Sequence, residues 1–470
     1  MKRRLLLMKE TGQITLWNTE FVFVVDAENI LLISKDKEDI KKINSHFDDT
    51  NFIINYSPSV GNSTAFIERV QFGYNGAIKL FPKYIVDQCH TDSFAGVEIT
   101  GEAIDDFFSP SRYFYDRREK DVTESVDFIY HSEIADKWTV TFEDQPITIT
   151  LSYGDILRWG TASDLMLHPK LTVDFEQTSD TQYVYRVYSF VVRFLQLVRY
   201  DTKCGKLRVE LFCREQEKMS YNGRLYDFSI DQSQFYKGNH EAEYGCYKPY
   251  IQRFLQFAAD SPEYNFSHYP SNGIRYRGRH YSAVDFLNIF SAFESECHAA
   301  SKLYENADTT KIQSIKDSLV ALVERYPSTD LSEEETEFLK NARENLIKQG
   351  TEFGQRKKLK IAYGILKEAL ESSIENIFYL PTFKCKGNLT KKQLGDVVEL
   401  LVAQRGAIAH GRFVGIFSDF DAQKIHFLEI LTYAQMLKRI GLEDKDIERV
   451  IGVVFGCNYV AFNERYYKTE

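Results

Sequence analysis

The chain has 470 residues, 43% of them hydrophobic and 27% charged, which fits a globular protein with more residues than one core serves, so two large domains are expected. A formal charge of −10 excludes generic, charge-driven attachment to nucleic acid, so any RNA contact must come from a local basic patch. No run of about 18 apolar residues exists, which excludes a membrane-spanning helix and any membrane partner.

In chain order, MKRRLLLMKE starts basic, but its apolar run stops at Lys9, too short for the hydrophobic region of a secretory signal. The segments QITLWNTEFVFVVD, NFIINYS, AIKLFPKYIV, SVDFIYHS, KWTVTFEDQPITITLSY and KLRVELFCRE are rich in β-branched and aromatic residues and are bounded by Gly, Asp, Asn and Ser, so each predicts strand. Asn75-Gly76 and Asn222-Gly223 predict hairpin turns. Val184, Val187, Tyr188, Val191, Phe194, Leu195 and Val198 follow helical spacing instead and predict one helix packed on the sheet. The polar stretch SPEYNFSHYPSNG predicts a linker, and the boundary is placed near residue 270. Just beyond it, Arg275-Tyr276-Arg277-Gly278-Arg279-His280-Tyr281 interleaves bases with aromatics, in the manner of single-strand binders or of a connector docked on acidic neighbours.

From Tyr281 the period changes to that of amphipathic helices, through SAVDFLNIFSAFESECHAASKLYE and six further segments ending with DKDIERVIGVVFG. Pro327, Gly350, Pro381, Gly411 and Gly441 mark stops. The expected fold class is α+β: a β-rich domain over 1–270, then an all-helical bundle over 271–470. Seven scattered cysteines without a C-x-x-C pair fit a reducing compartment, and the expected location is the cytoplasm. Cys89 and His90 lack further ligands at zinc spacing, so neither metal nor cofactor is expected.

The stretch Gln404-Arg405-Gly406-Ala407-Ile408-Ala409-His410-Gly411 carries the chemistry. Leu394, Val397, Val398, Leu401 and Val402 form an apolar stripe, and at 100° per residue Arg405 falls in its middle. His410 and Gly411 close the helix. A guanidinium fork suits phosphate oxygens as charge develops on them, and a histidine titrating near neutrality transfers protons. RNA supplies its own nucleophile, the 2′-hydroxyl, so this pair could cleave it without metal. The competing expectation is structural: Glu294, in line with Leu287, Phe290 and Cys297, could hold Arg405 in an ion pair, or orient it within a cleft. Arg412 beyond the histidine, and Arg356, Lys357, Lys358 and Lys360 at the start of a helix, where positive charge opposes the dipole, are candidate phosphate contacts.

An all-helical C-terminal domain with Arg, four residues, then His and Gly at the end of a late helix resembles the HEPN superfamily of metal-independent ribonucleases. FLNIFSAFESECHA and R405-G-A-I-A-H410-G look most like ApeA-type anti-phage proteins, in which a β-rich domain precedes the bundle. The resemblance implies an endoribonuclease of abortive infection, acting on RNA (tRNA among the candidates) as a homodimer or higher even oligomer with a composite cleft. It further implies a β-domain that answers to a phage-derived trigger or holds the enzyme inactive. The pattern departs at Gly406, a position commonly polar in active members. That departure supports the alternative of a catalytically inactive dimerisation and nucleic-acid-binding module. A third reading, a carbohydrate- or peptide-binding β-domain on an oligomerising bundle, draws on the aromatics, 14% of the chain, but leaves Arg405 without a role.

Overall fold

The computed structural model describes residues 10–26, 29–34, 51–57, 61–73, 77–109, 133–156, 166–216, 218–230, 244–261, 281–300, 309–326, 331–348, 354–378, 385–412 and 417–456, with Glu38, Gln232 and Phe383. The chain divides into two compact units, Met1–Ser267 and His268–Glu470. The first is built on an antiparallel sheet and the second on helices, so the chain is α+β.

Unit 1 contains β1 (Glu10–Leu16), β2 (Thr19–Asp26), β3 (Asn29–Ile33), β4 (Phe52–Tyr56), β5 (Asn62–Phe72), β6 (Ala77–Cys89) and β7 (Phe94–Gly101). The helix α1 (Glu102–Phe107) follows, then β8 (Glu133–Phe142), β9 (Gln145–Ile156), β10 (Met166–Thr178), α2 (Thr181–Arg199), β11 (Leu207–Glu215), β12 (Lys218–Asp227) and α3 (Ile251–Asp260). The long β6 is the junction of the sheet. One side pairs throughout with β5; the other pairs first with β3, at Ala77 to Leu80, and then with β12, at Tyr84 to Asp87. From β12 the order continues β11, β7, β10, β9, β8. The valine-rich α2 is buried along most of its length and packs against α1, α3 and β7.

Two expected single strands are hairpins. QITLWNTEFVFVVD folds back at Trp17-Asn18, with φ of 47° and 63°, and KWTVTFEDQPITITLSY at Glu143-Asp144, with φ of 49° and 63°. Both are type I′ turns, whose twist matches that of the strands, here made without glycine. Asn222-Gly223, expected as a turn, lies inside β12 instead. Asn222 is the extra residue of a bulge opposite Leu211 and Phe212. Its fully buried side chain accepts from the amides of His90 and Thr91 and donates to the carbonyls of Thr91 and Ser93. Gly223 serves close packing, since a Cβ there would stand 2.6 Å from the Asp87 carbonyl oxygen. The β11–β12 pairing instead runs out to Glu215 and Lys218. SVDFIYHS, Asn75-Gly76, most of the expected linker, and the RYRGRHY segment up to His280 lie outside the described residues.

Unit 2 contains α4 (Ala283–Ala299), α5 (Thr309–Glu324), α6 (Glu333–Lys348), α7 (Gln355–Ile377), α8 (Lys391–Ala409), α9 (Asp419–Ile440) and α10 (Asp444–Phe455). Helix α9 is buried on every side, from Ile425 to Leu437, and packs against α4, α7, α8 and α10. Buried polar groups fix its neighbours: Arg439 gives Glu296 of α4, itself fully buried, two hydrogen bonds of 2.8 Å. The Tyr281 hydroxyl donates to Glu429 at 3.0 Å. Helices α5 and α6 pack on one another, and none of their described side chains is buried. Ile315, Leu319, Leu322 and Tyr326 repeat at spacings of four, three and four along α5 and its end, and are all exposed. Among the described residues no helix is long and apolar enough to cross a membrane.

Two consequences can be measured. Truncating Glu296 to Ala takes both carboxylate hydrogen bonds from Arg439 and should cost about 3–5 kcal/mol in denaturant unfolding, whereas replacing both partners by leucine should cost much less. In unit 1, burial pushes the Asp227 carboxyl up to about 6, despite the hydrogen bonds it accepts from Ser229. A raised carboxyl means that the folded state holds the proton more tightly than the unfolded one. Stability therefore falls as pH rises from the ordinary carboxylate range through about 6, by at most about 3 kcal/mol from this group. Burial raises Glu10, Asp87 and Asp174 in the same direction, so the readout is the difference between the parent and Asp227→Asn, whose stability should fall less over that interval.

Candidate active site at the end of α8

Helix α8 starts on a capping box: the Thr390 hydroxyl accepts from the Gln393 amide, and the Gln393 side chain accepts from the Thr390 amide. Its first turns are anchored by Val397, Val398 and Leu401, all buried. Beyond Leu401 the burial weakens. Val402, Gln404, Arg405, Ala407 and Ile408 are half-buried, and Ala409 to Arg412 are exposed. The expected stripe therefore continues past the core and emerges on the surface.

The helix ends in a Schellman turn. His410 is the cap, Gly411 takes φ of 66°, the Gly411 amide donates to the Ile408 carbonyl at 2.9 Å, and the Arg412 amide to the Ala407 carbonyl at 2.8 Å. Glycine at this position is a conformational requirement, and it fixes the backbone from which the exposed imidazole projects.

Arg405 points to α4. Its Nη2 lies 3.4 Å from Oε2 of Glu294, and its guanidinium carbon 6.0 Å from the centroid of the buried Phe290 ring. The other oxygen of Glu294 accepts from Nε2 of Gln355, the first residue of α7, at 2.6 Å. The side chains of Arg405 and Glu294 keep 38% and 33% of their surface accessible. The carboxylate thus positions the guanidinium without enclosing it. A Cβ on Gly406 would meet nothing within 4 Å, so the surface beside Arg405 is open.

The Gln355 contact also brings the basic turn of α7 beside this pair. Arg356 reaches back to Glu399 of α8 at 2.8 Å, with both side chains more than half exposed. Lys357 and Lys360 are exposed and Lys358 is half-buried, while Leu359 between them anchors the turn in the core. Arg405, Glu294 and the start of the 356–360 turn therefore form one neighbourhood. His410 is held apart: five residues along a helix amount to about 140° of rotation and ~7.5 Å of rise, and no hydrogen bond joins it to Arg405. Two contributors escaped the sequence reading, Gln355 and the Phe290 shelf. Phe290 stands one turn before Glu294, and Gln355 immediately precedes the basic run, so spacing could have shown both.

Among the described residues no group of three or more His, Cys, Asp or Glu is arranged to hold a metal ion. Cys89 is buried, and burial followed by the charges of Asp87 and Asp92 pushes its thiol up to about 12, away from the thiolate that a metal needs. Comparison of the chain with known protein families, curated proteins and solved structures finds no match.

Because the Arg405–Glu294 pair is one-third open to water, Glu294→Gln should cost less than about 1 kcal/mol in denaturant unfolding, far less than the loss of Glu296. A larger cost would make the pair a structural strut.

Proposed function

We propose that the helical unit is a metal-independent endoribonuclease of the HEPN type, an abortive-infection effector like the ApeA-type proteins, with the β-rich unit answering to a phage-derived trigger. The observation that carries this reading is a guanidinium held by Glu294, more than a third accessible, five residues before an exposed histidine at a helix cap. The basic turn from Arg356 to Lys360 beside Gln355 supports it, because an acidic chain needs a local patch to hold RNA.

In this mechanism one imidazole takes the proton of the 2′-hydroxyl as its oxygen attacks the adjacent phosphorus. A second imidazole gives a proton to the departing 5′-oxygen, and Arg405 binds the phosphate oxygens as charge builds on them. The products are a 2′,3′-cyclic phosphate and a free 5′-hydroxyl. One chain supplies one His410, turned away from its own Arg405, so the reaction calls for two copies whose motifs share a phosphate. Arg412 and the Lys357, Lys358 and Lys360 amines hold the flanking backbone. Gly406 supports the second reading, an RNA-binding module without turnover, because a glycine inside α8 loosens the helix by roughly 1 kcal/mol relative to alanine and contributes no polar group.

Purified protein should cleave RNA in excess chelator and leave 2′,3′-cyclic ends. His410→Ala should lower the rate by about 10²-fold or more, and Arg405→Ala should do likewise with an unchanged melting temperature. RNA bound but left intact by the parent protein, under conditions where both variants also bind it, would establish the second reading.

A further inference from the structure

In unit 1, β1, β2, β3, β6, β5 and β4 curl round one apolar core that includes Ile14, Phe23, Ile54, Ile67 and Ile85, but among the described residues the ring does not close. Within the described sheet β1 is hydrogen-bonded only to β2, and β4 only to β5. Five antiparallel steps separate them, so the two edge strands run in opposite directions on either side of a seam. One end of the seam is pinned where Trp17 meets Phe52 edge-on at 5.7 Å. The rest is a cavity of about 700 Å³, with Gln13 and Thr15 of β1 on one side and Ile53 and Asn55 of β4 on the other.

The hairpin phase tells which β1 groups face this space. In a two-residue type I′ hairpin the residues flanking the turn exchange both hydrogen bonds, here Leu16 and Thr19. Ile14 and Gly12 then bond to β2, while Thr11, Gln13 and Thr15 present their N–H and C=O groups to the seam. Unclaimed among the described residues, a row of this kind is a template for one more strand.

Two further observations indicate the occupant. Tyr56 lines the cavity and is only 5% exposed, and its hydroxyl lies beside that of Ser63, so the floor of the seam is polar. The described lining carries Asp92 and Asp180 but no lysine or arginine; Asp180 caps α2 through the Gln182 amide and has Arg186 at 3.8 Å, so Asp92 sets most of the charge, and Asp87 lies behind the wall, bonded by Ser63 at 2.6 Å. Such a wall disfavours phosphates and other anions and favours neutral or cationic groups.

We propose that the seam binds an extended, neutral-to-basic peptide segment of another protein, which adds as a strand to the outer edge of β1. Main-chain pairing supplies the affinity, and the acidic, hydroxyl-lined cavity selects the side chains. The site is independent of the RNA chemistry assigned to the other unit and is tested without it.

The probe is a set of capped peptides alternating lysine with valine, threonine or tyrosine, titrated into the full chain by fluorescence anisotropy. Each is compared with its glutamate counterpart and with versions N-methylated at the odd or at the even residues. Alternate amides of a strand face opposite edges, so one methylation phase should weaken binding by about tenfold or more, as should glutamate for lysine. Gln13→Pro removes a seam-facing donor at an edge, where proline is tolerated, and should weaken the lysine peptides similarly. If that variant melts lower than the parent, Asp92→Lys, at an exposed position, supplies the protein-side arm through charge. Absence of binding across the set, equal binding of both methylated versions, or equal binding of glutamate peptides would overturn the proposal.

Discussion

One buried ion pair governs the geometry of the helical unit. Arg439 donates two hydrogen bonds of 2.8 Å to the Glu296 carboxylate, which has no accessible surface, so neither partner can rotate away without giving up the pairing of a buried charge. That fixes the rotation of α4 about its own axis. Phe290 and Phe293 fill the middle of its buried stripe, Glu296 flanks it on one side, and Glu294, two residues or about 200° away, emerges on the other. The direction in which Glu294 meets Arg405 is therefore set by a pair with no chemistry of its own. A strongly held contact inside and a weakly held one at the surface suit a site that must be placed accurately yet remain open to a ligand.

Helices α4, α7 and α10 were legible because each buries a continuous stripe, and α8 because Thr390 with Gln393 marks its start. The strands were harder. Trp17-Asn18 and Glu143-Asp144 adopt left-handed backbones without glycine, and the single Asn or Asp in each was too weak a signal to split the run, so two hairpins read as single runs. Asn222-Gly223 misled in the opposite sense. The same small, polar pair that makes a tight turn also suits a bulge, where asparagine can hold four backbone groups of a neighbouring loop and glycine lets another strand come near.

At the candidate site, the apolar stripe of α4 marks Glu294 as a partner for Arg405, and the two side chains lie 3.4 Å apart. It could not tell how much of the arginine stays accessible, because that depends on where α8 runs past its neighbours and not on its own sequence. Nor could it foresee Arg439. A base in the last turn of a helix reads as a solvated charge facing the dipole, and only the packing of α9 at the centre of the bundle turns it inward.

The hairpin of α5 and α6 stands apart from this arrangement. With none of its described side chains buried and a heptad-spaced seam uncovered, it has little apolar burial to set against the entropy of ordering more than thirty residues. Opening of this pair can proceed while α4, α7, α8, α9 and α10 stay packed. Its amides would then exchange with solvent through local, low-energy fluctuations rather than through global unfolding, and proteases would cut it before the packed helices of the unit.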